Sequence, residues 1–153
     1  MKSGDAPEPA VDPRRPLGVW IMSVINLLVS GVVPVVAAYL FTFEVGSGLP
    51  ILPHALLVLF YGGFGVGVIR ATVRAWHGND HSRQVLLTLL VIYHMLNIVI
   101  NSTALLLRGV VSQPALRWSV AVVQPAFWIG INVWYFQRRQ TLEWYEAMEA
   151  LSK

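Results

Sequence analysis

The sequence predicts an all-α integral membrane protein: a four-helix transmembrane bundle with antiparallel up-down topology and both termini in the cytoplasm. Three observations support this fold class. The chain has 153 residues, of which 56% are hydrophobic and only 12% are charged, whereas average soluble domains carry about 25% charged residues. The hydrophobic residues form four long runs joined by short connectors. The Lys and Arg residues gather on alternate connectors, as the positive-inside rule describes.

Four apolar segments are each long enough to cross a hydrocarbon core of about 30 Å at about 1.5 Å of rise per residue. We predict helices at residues 19–43, 51–70, 85–107 and 116–136, which together form a transmembrane domain at residues 17–137. Pro34 lies inside the first and longest segment, so a kink or a tilt of that helix is expected. The short connectors favour antiparallel packing of consecutive helices.

The two ends of the chain differ in composition from the apolar segments. Residues 1–16 are rich in proline and charge, which predicts a disordered cytoplasmic tail. Residues 138–153 carry four large apolar side chains at three-residue intervals beside a row of glutamates, which predicts a cytoplasmic amphipathic helix. That helix either packs beneath its own bundle or docks a cytoplasmic partner.

The distribution of positive charge predicts the orientation. Nine of the 11 Lys and Arg residues fall on the side that carries both termini, and only Arg108 and Arg117 fall on the opposite side. Because cytoplasmic flanks carry the excess of basic residues, we predict a multi-pass protein of the cell (inner, cytoplasmic) membrane with both termini inside. The expected partners are the lipid bilayer and a second copy or a membrane partner protein, and no nucleic acid.

A helical-wheel projection places the polar residues of each segment on one face. At 100° per residue, His94, Asn97 and Asn101 lie within about 60° of one another. Lipid offers no hydrogen bonds, so such faces should turn inward. The candidate intramembrane polar site therefore consists of His94, Asn97, Asn101, Asn26, Gln124 and Tyr61. These side chains either join helices by hydrogen bonds or line a ligand cavity or a solute path.

His94 stands out among these residues because it lies near the predicted bilayer centre, where ionisable side chains are functional candidates by default. It is either a neutral histidine satisfied by a neighbouring polar side chain or a proton-linked or ligand-binding group. A bis-histidine haem site is not expected, because His54 lies about 12 Å from the depth of His94 by helical rise.

The outer ends of the helices predict a second candidate site, an extracytoplasmic vestibule. Its residues are Glu44, His54, Arg108 and Arg117. Glu44 can pair with one arginine and leave the other to bind an anion. Alternatively, both arginines extend to lipid phosphates.

Several kinds of chemistry are not expected of this sequence. The chain has no cysteine, which excludes disulfides, thiolate metal sites and Fe–S clusters. No metal triad, paired carboxylates, nucleophile–base pair or phosphate loop is evident, so we expect no catalytic residue, no metal and no cofactor. The histidines of "HGNDH" flank a Gly-Asn turn and lack a third fixed ligand.

The predicted function follows from these points. We expect a non-enzymatic accessory, assembly or ligand-binding subunit whose polar stripe opens to the extracytoplasmic side. The alternative is a small oligomeric transporter or channel that uses the stripe of His94, Asn97 and Asn101.

Overall fold

A computed structural model of the chain describes residues 14–43, 51–108 and 114–152. This part of the chain is helical apart from short turns and contains no strand. Four of its helices are long and apolar enough to cross a membrane. The prediction of an all-α protein with four potential membrane spans is therefore confirmed. Of the tail predicted at residues 1–16, residues 1–13 lie outside the described residues.

Five helices make up the described chain, and we label them in chain order. They are α1 (residues 17–43), α2 (Ile51–Trp76), α3 (Asp80–Arg108), α4 (residues 114–136) and α5 (Arg139–Leu151). Two of them change pitch along their length. The middle of α1, Asn26–Val32, is π-helical, and so is Ser119–Val123 in α4.

Both π-helical segments lie just before a proline, Pro34 in α1 and Pro125 in α4. Proline has no backbone N–H, and in a regular α-helix its ring collides with the carbonyl four residues earlier. The wider π-helical turn relieves that crowding, as shown in α1, where the Val33 N–H donates to the Leu28 carbonyl. The distortion predicted at Pro34 takes the form of a π-helical turn, and Pro125 accompanies a second one that was not predicted.

The connector between α2 and α3 is shorter than predicted. It comprises only residues 77–79, whereas the predicted helices leave residues 71–84 between them. Gly78 has a φ of 83°, a left-handed conformation that suits glycine at a helix end. The side-chain oxygen of Asn79 then caps α3 by accepting the Ser82 N–H at 2.7 Å. Capping, rather than hydropathy, sets these two helix ends.

The four long helices pack as a closed ring of neighbours: α1 on α2, α2 on α3, α3 on α4, and α4 on α1. Helices α1 and α2 approach closely at Gly65, where a Cβ atom would lie 2.7 Å from the Gly31 carbonyl oxygen. The polar stripe of α1 turns inward as predicted, since Ser23, Asn26 and Ser30 are all buried.

Helix α5 packs against α3 and α4, with Tyr145 completely buried. The buried Arg83 guanidinium holds this end of the molecule together. It donates to Asp80 at 2.6 Å and to the Phe136 carbonyl at 3.0 Å, and it lies 5.5 Å from the centre of the Tyr145 ring. Burial raises the pKa of the Tyr145 phenol above its usual range, so the ring beneath the guanidinium stays neutral.

The exposed face of α5 keeps its acidic row, Glu143, Glu146 and Glu149. The buried residues of α5 show that this helix packs against its own bundle, which is the first of the two predicted alternatives. A cytoplasmic partner for the acidic face stays a prediction.

Candidate functional site

A cavity of about 440 Å³ lies between α1, α3 and α4, and we call it the His94 cavity. Four of the six predicted intramembrane residues line it: His94, Asn97, Asn101 and Gln124. The rest of the wall is apolar or aromatic and consists of Val29, Tyr93, Val120, Pro125, Phe127 and Trp128. Its volume falls in the range of about 300–1,000 Å³ that small-molecule sites occupy.

The two π-helical segments shape this cavity. Val29 comes from the π-helical part of α1 and Val120 from that of α4, and both side chains line the wall. A π-helical turn is wider than an α-helical one, and such turns occur frequently at functional sites. The π-helical turn in α4 was not predicted, although Pro125, in the middle of an apolar segment, is a sequence signal for it.

His94 is buried, with only 9% of its surface exposed, and its ring lies edge-on to Tyr93 with the centroids 5.1 Å apart. Its Nε2 atom has no hydrogen-bond partner among the described residues. A buried polar atom without a partner costs about 1–3 kcal/mol. The Nε2 of His94 is thus enclosed by the protein and lacks, in the described chain, the polar partner that a satisfied structural histidine would have, while the imidazole lines the cavity. Both alternatives for His94 stay predictions.

The side chain of Asn97, by contrast, forms hydrogen bonds within the protein. Its Nδ2 donates to the Tyr93 carbonyl at 2.8 Å, and its Oδ1 accepts a long bond of 3.4 Å from the Tyr61 hydroxyl. Tyr61 does not line the cavity, but it contacts two residues that do: Asn97, through this hydrogen bond, and Tyr93, whose ring centroid lies 6.3 Å from its own. This pair joins α2 to α3, so the packing explanation for polar residues in the stripe holds here.

Asn101 and Gln124 are both exposed, and neither side chain forms a hydrogen bond within the part of the chain that the structure describes. Gln124 lies well inside the potential span Leu116–Phe136. An unpaired amide at hydrocarbon depth costs several kcal/mol. At such a depth the Gln124 amide would need a hydrogen-bonding partner from outside the described chain, whereas Asn101 lies near the end of the potential span Asp80–Thr103.

Asn26 is not part of the cavity wall. Its Nδ2 donates to the Asn132 Oδ1 at 2.6 Å, and the Trp128 Nε1 donates to the Ser30 Oγ at 3.2 Å. These two bonds fasten α1 to α4. Asn132 shares the polar face of α4 in the wheel projection, yet only the packing of the two helices pairs it with Asn26.

The predicted outer vestibule is only partly described. Glu44 and the side chain of Arg108 lie outside the described residues. His54 is buried and its Nε2 has no partner in residues 14–43, 51–108 and 114–152, and Arg117 is exposed. No hydrogen bond or ion pair in this part of the chain joins His54 to Arg117, so the vestibule stays a prediction.

No group of three or more His, Asp or Glu side chains is placed to hold a metal ion in the described ranges. The "HGNDH" segment borders a separate polar cavity of about 470 Å³ beside the end of α5. Of its two histidines, His77 uses Nδ1 to contact the Val73 carbonyl at 2.7 Å. This segment is a helix-capping turn.

No protein family model, no curated protein and no solved structure matches this chain. The four apolar helices suggest a multi-pass membrane protein. Any more specific function has to be argued from the His94 cavity itself.

Proposed function

We propose that the protein is a non-enzymatic, multi-pass protein of the cell membrane that binds a small ligand in the His94 cavity. One observation carries this proposal. Two side-chain amides without hydrogen-bond partners in the described chain, those of Asn101 and Gln124, line one cavity beside the buried imidazole of His94. Leaving them unpaired is costly at this depth, and a ligand with hydrogen-bonding groups removes that cost.

The orientation that we propose is antiparallel up-down, with both termini in the cytoplasm. Contacts at one end of the bundle support it. The rings of Trp20 and Trp76 lie 6.1 Å apart, and the Arg15 guanidinium lies 5.2 Å from the Trp76 ring centre. The start of α1 thus meets the end of α2, as an antiparallel pair requires. With this end cytoplasmic by the positive-inside rule, Asn101 lies in the extracytoplasmic half of the bundle.

Tight packing on the cytoplasmic side favours binding over passage of a solute. Val19, Leu86, Leu90 and Phe136 are each at most 1% exposed. Their side chains form a dense layer between the His94 cavity and α5. A binding protein needs no path through such a layer, whereas a channel does.

The binding proposal is tested by native mass spectrometry of protein purified from its own membranes in mild detergent. The wild type should carry a bound small molecule. Gln124→Leu removes one hydrogen-bonding group from an exposed position, and leaving a ligand group unpaired should lower occupancy about 5- to 150-fold. Gln137→Leu is the matched control, since Gln137 is exposed and lies outside the cavity wall. Equal occupancy in Gln124→Leu and in the control, or no bound molecule in the wild type, refutes the proposal.

The transport alternative has its own measurement. Proton or solute flux into liposomes is compared for the wild type and for the double variant His94→Ala, Asn97→Ala. We expect no flux above that of empty liposomes in either case. Flux that depends on the two residues would replace binding with transport as the function of the cavity.

A further inference from the structure

A second cavity of about 290 Å³ lies on the surface of α4 beside the His94 cavity. It is lined by Ser119, Val120, Val123, Gln124 and Phe127. Val120, Gln124 and Phe127 line both cavities, so the two form one continuous depression. We call the second cavity the tail groove.

The two parts of this depression differ in polarity. Hydrogen-bonding groups gather in the His94 cavity, where His94, Asn101 and Gln124 are found. The tail groove is almost wholly apolar, and its Val120, Val123 and Phe127 are more than half exposed, as side chains that face lipid would be. It covers residues 119–127, or about 12 Å of helix at about 1.5 Å per residue.

Charge is absent from both parts. No Asp, Glu, Lys or Arg is among the described residues that line either cavity. An ionised group moved to hydrocarbon depth without a counter-charge is strongly disfavoured. The neutral amides of Asn101 and Gln124 each offer a donor and an acceptor, and the imidazole of His94 lines the same cavity.

We propose that the ligand is a lipid-soluble amphiphile, with an uncharged head of hydroxyl or carbonyl groups in the His94 cavity and a hydrocarbon chain in the tail groove. This inference rests on the proposed function and adds the class of ligand and its route of entry. The ligand enters sideways from the bilayer, across the exposed Val123 and Phe127. A hydrocarbon chain gains little on moving from lipid to an apolar groove, so the hydrogen bonds of the head select the ligand and the groove orients its chain.

A pair of photoactivatable probes tests this ligand class. Both carry the same diazirine-bearing acyl chains: one is a diacylglycerol with a neutral hydroxyl head, and the other is the phosphatidic acid with an anionic head. The full chain is placed in phosphatidylcholine nanodiscs with each probe, irradiated, and digested for mass spectrometry. We expect the diacylglycerol to label residues 119–127 about fivefold or more above the phosphatidic acid, because the anionic head would lose its hydration without gaining a counter-charge; fivefold corresponds to about 1 kcal/mol.

Two variants link the labelling to the cavity. Gln124→Leu should lower diacylglycerol labelling to the level of phosphatidic acid, while Gln137→Leu should leave it unchanged. Gel filtration and circular dichroism confirm folding, which a substitution at exposed Gln124 should not disturb. Asn101→Ala, also at an exposed position, serves as the second variant and should likewise lower the labelling.

Three results would overturn the inference. Equal labelling by the two probes removes the selection for an uncharged head. If residues 119–127 are labelled no more strongly than residues around the exposed Leu59 of α2, the tail groove does not bind the chain. A cross-link in native membranes from this groove to a partner helix makes the occupant a protein.

The same data separate this inference from the proposed function. If the wild type retains a water-soluble molecule in native mass spectrometry and shows no selective labelling, the proposed class of ligand is wrong but the binding function stands. No retained molecule and no selective labelling overturn both.

Discussion

Replacing Asn26 with alanine should weaken the contact between α1 and α4. Asn26 and Asn132 are 0% and 1% exposed, and their amides share a hydrogen bond of 2.6 Å. Interhelical hydrogen bonds in membrane proteins contribute about 0.6 kcal/mol on average and up to about 1.7 kcal/mol. The variant also leaves the Asn132 Oδ1 buried without its donor, so we expect a loss of about 2 kcal/mol in the free energy of unfolding.

A double-mutant cycle with Asn132→Ala isolates the bond from the other effects of truncation. Because the bond is short and fully buried, the coupling energy should lie in the upper part of the membrane range, at about 1–1.7 kcal/mol. Ser23→Ala is the matched control on the same face of α1. Ser23 is equally buried, but its Oγ has no partner in the described chain, so its removal should cost less than about 0.5 kcal/mol.

The measurement is equilibrium unfolding in mixed micelles with increasing sodium dodecyl sulfate, followed by circular dichroism. A coupling energy below about 0.3 kcal/mol, which is within the scatter of independent sites, would refute the assigned hydrogen bond. A Ser23→Ala cost as large as that of Asn26→Ala would show that truncation of any polar residue on this face, and not the bond, is being measured.

Three further predictions concern packing and orientation. Gly65→Ala should destabilise the protein by about 1–3 kcal/mol in the same unfolding assay, because the added methyl meets the Gly31 carbonyl oxygen. Gly63→Ala should be neutral or stabilising, because the space around Gly63 is open. Arg83→Gln should speed hydrogen exchange in α5. Arg139→Gln should not, because it breaks only the exposed ion pair with Glu143, which is worth at most about 0.5 kcal/mol. Equal exchange rates in the two variants would contradict the assigned role of Arg83. Reporter fusions at both termini should show cytoplasmic activity, and a signal from outside at either end would invert the orientation.

The helices were largely predictable, and the reason is their hydropathy. A run of about 20 apolar residues has few alternatives to a membrane-spanning helix, since every backbone group must be paired within the segment. Hydropathy failed where helices continue beyond the apolar run, as in α2, which continues to Trp76, and α3, which begins at Asp80. Those ends depend on Gly78 and Asn79, which act through backbone conformation and capping and not through hydrophobicity.

The candidate site was predictable in its residues but not in their partnerships. The wheel identifies which polar side chains share a face, and four of the six predicted residues do line one cavity. It carries no information on which helix lies opposite. The wheel therefore grouped Asn26 with His94, whereas Asn26 pairs with Asn132. Tyr61 lies outside the cavity wall and contacts Asn97 and Tyr93, which line it.

By itself, the sequence determined that this protein is helical, that four segments can cross a membrane, and that each segment carries one polar face. These are properties of a single helix, set by local hydropathy and by the 3.6-residue repeat. Tertiary structure alone decided which polar groups satisfy one another and which are left over. That outcome depends on how α1, α3 and α4 meet around two π-helical turns, and it leaves the side-chain amides of Asn101 and Gln124 at one cavity with no partner in the described chain.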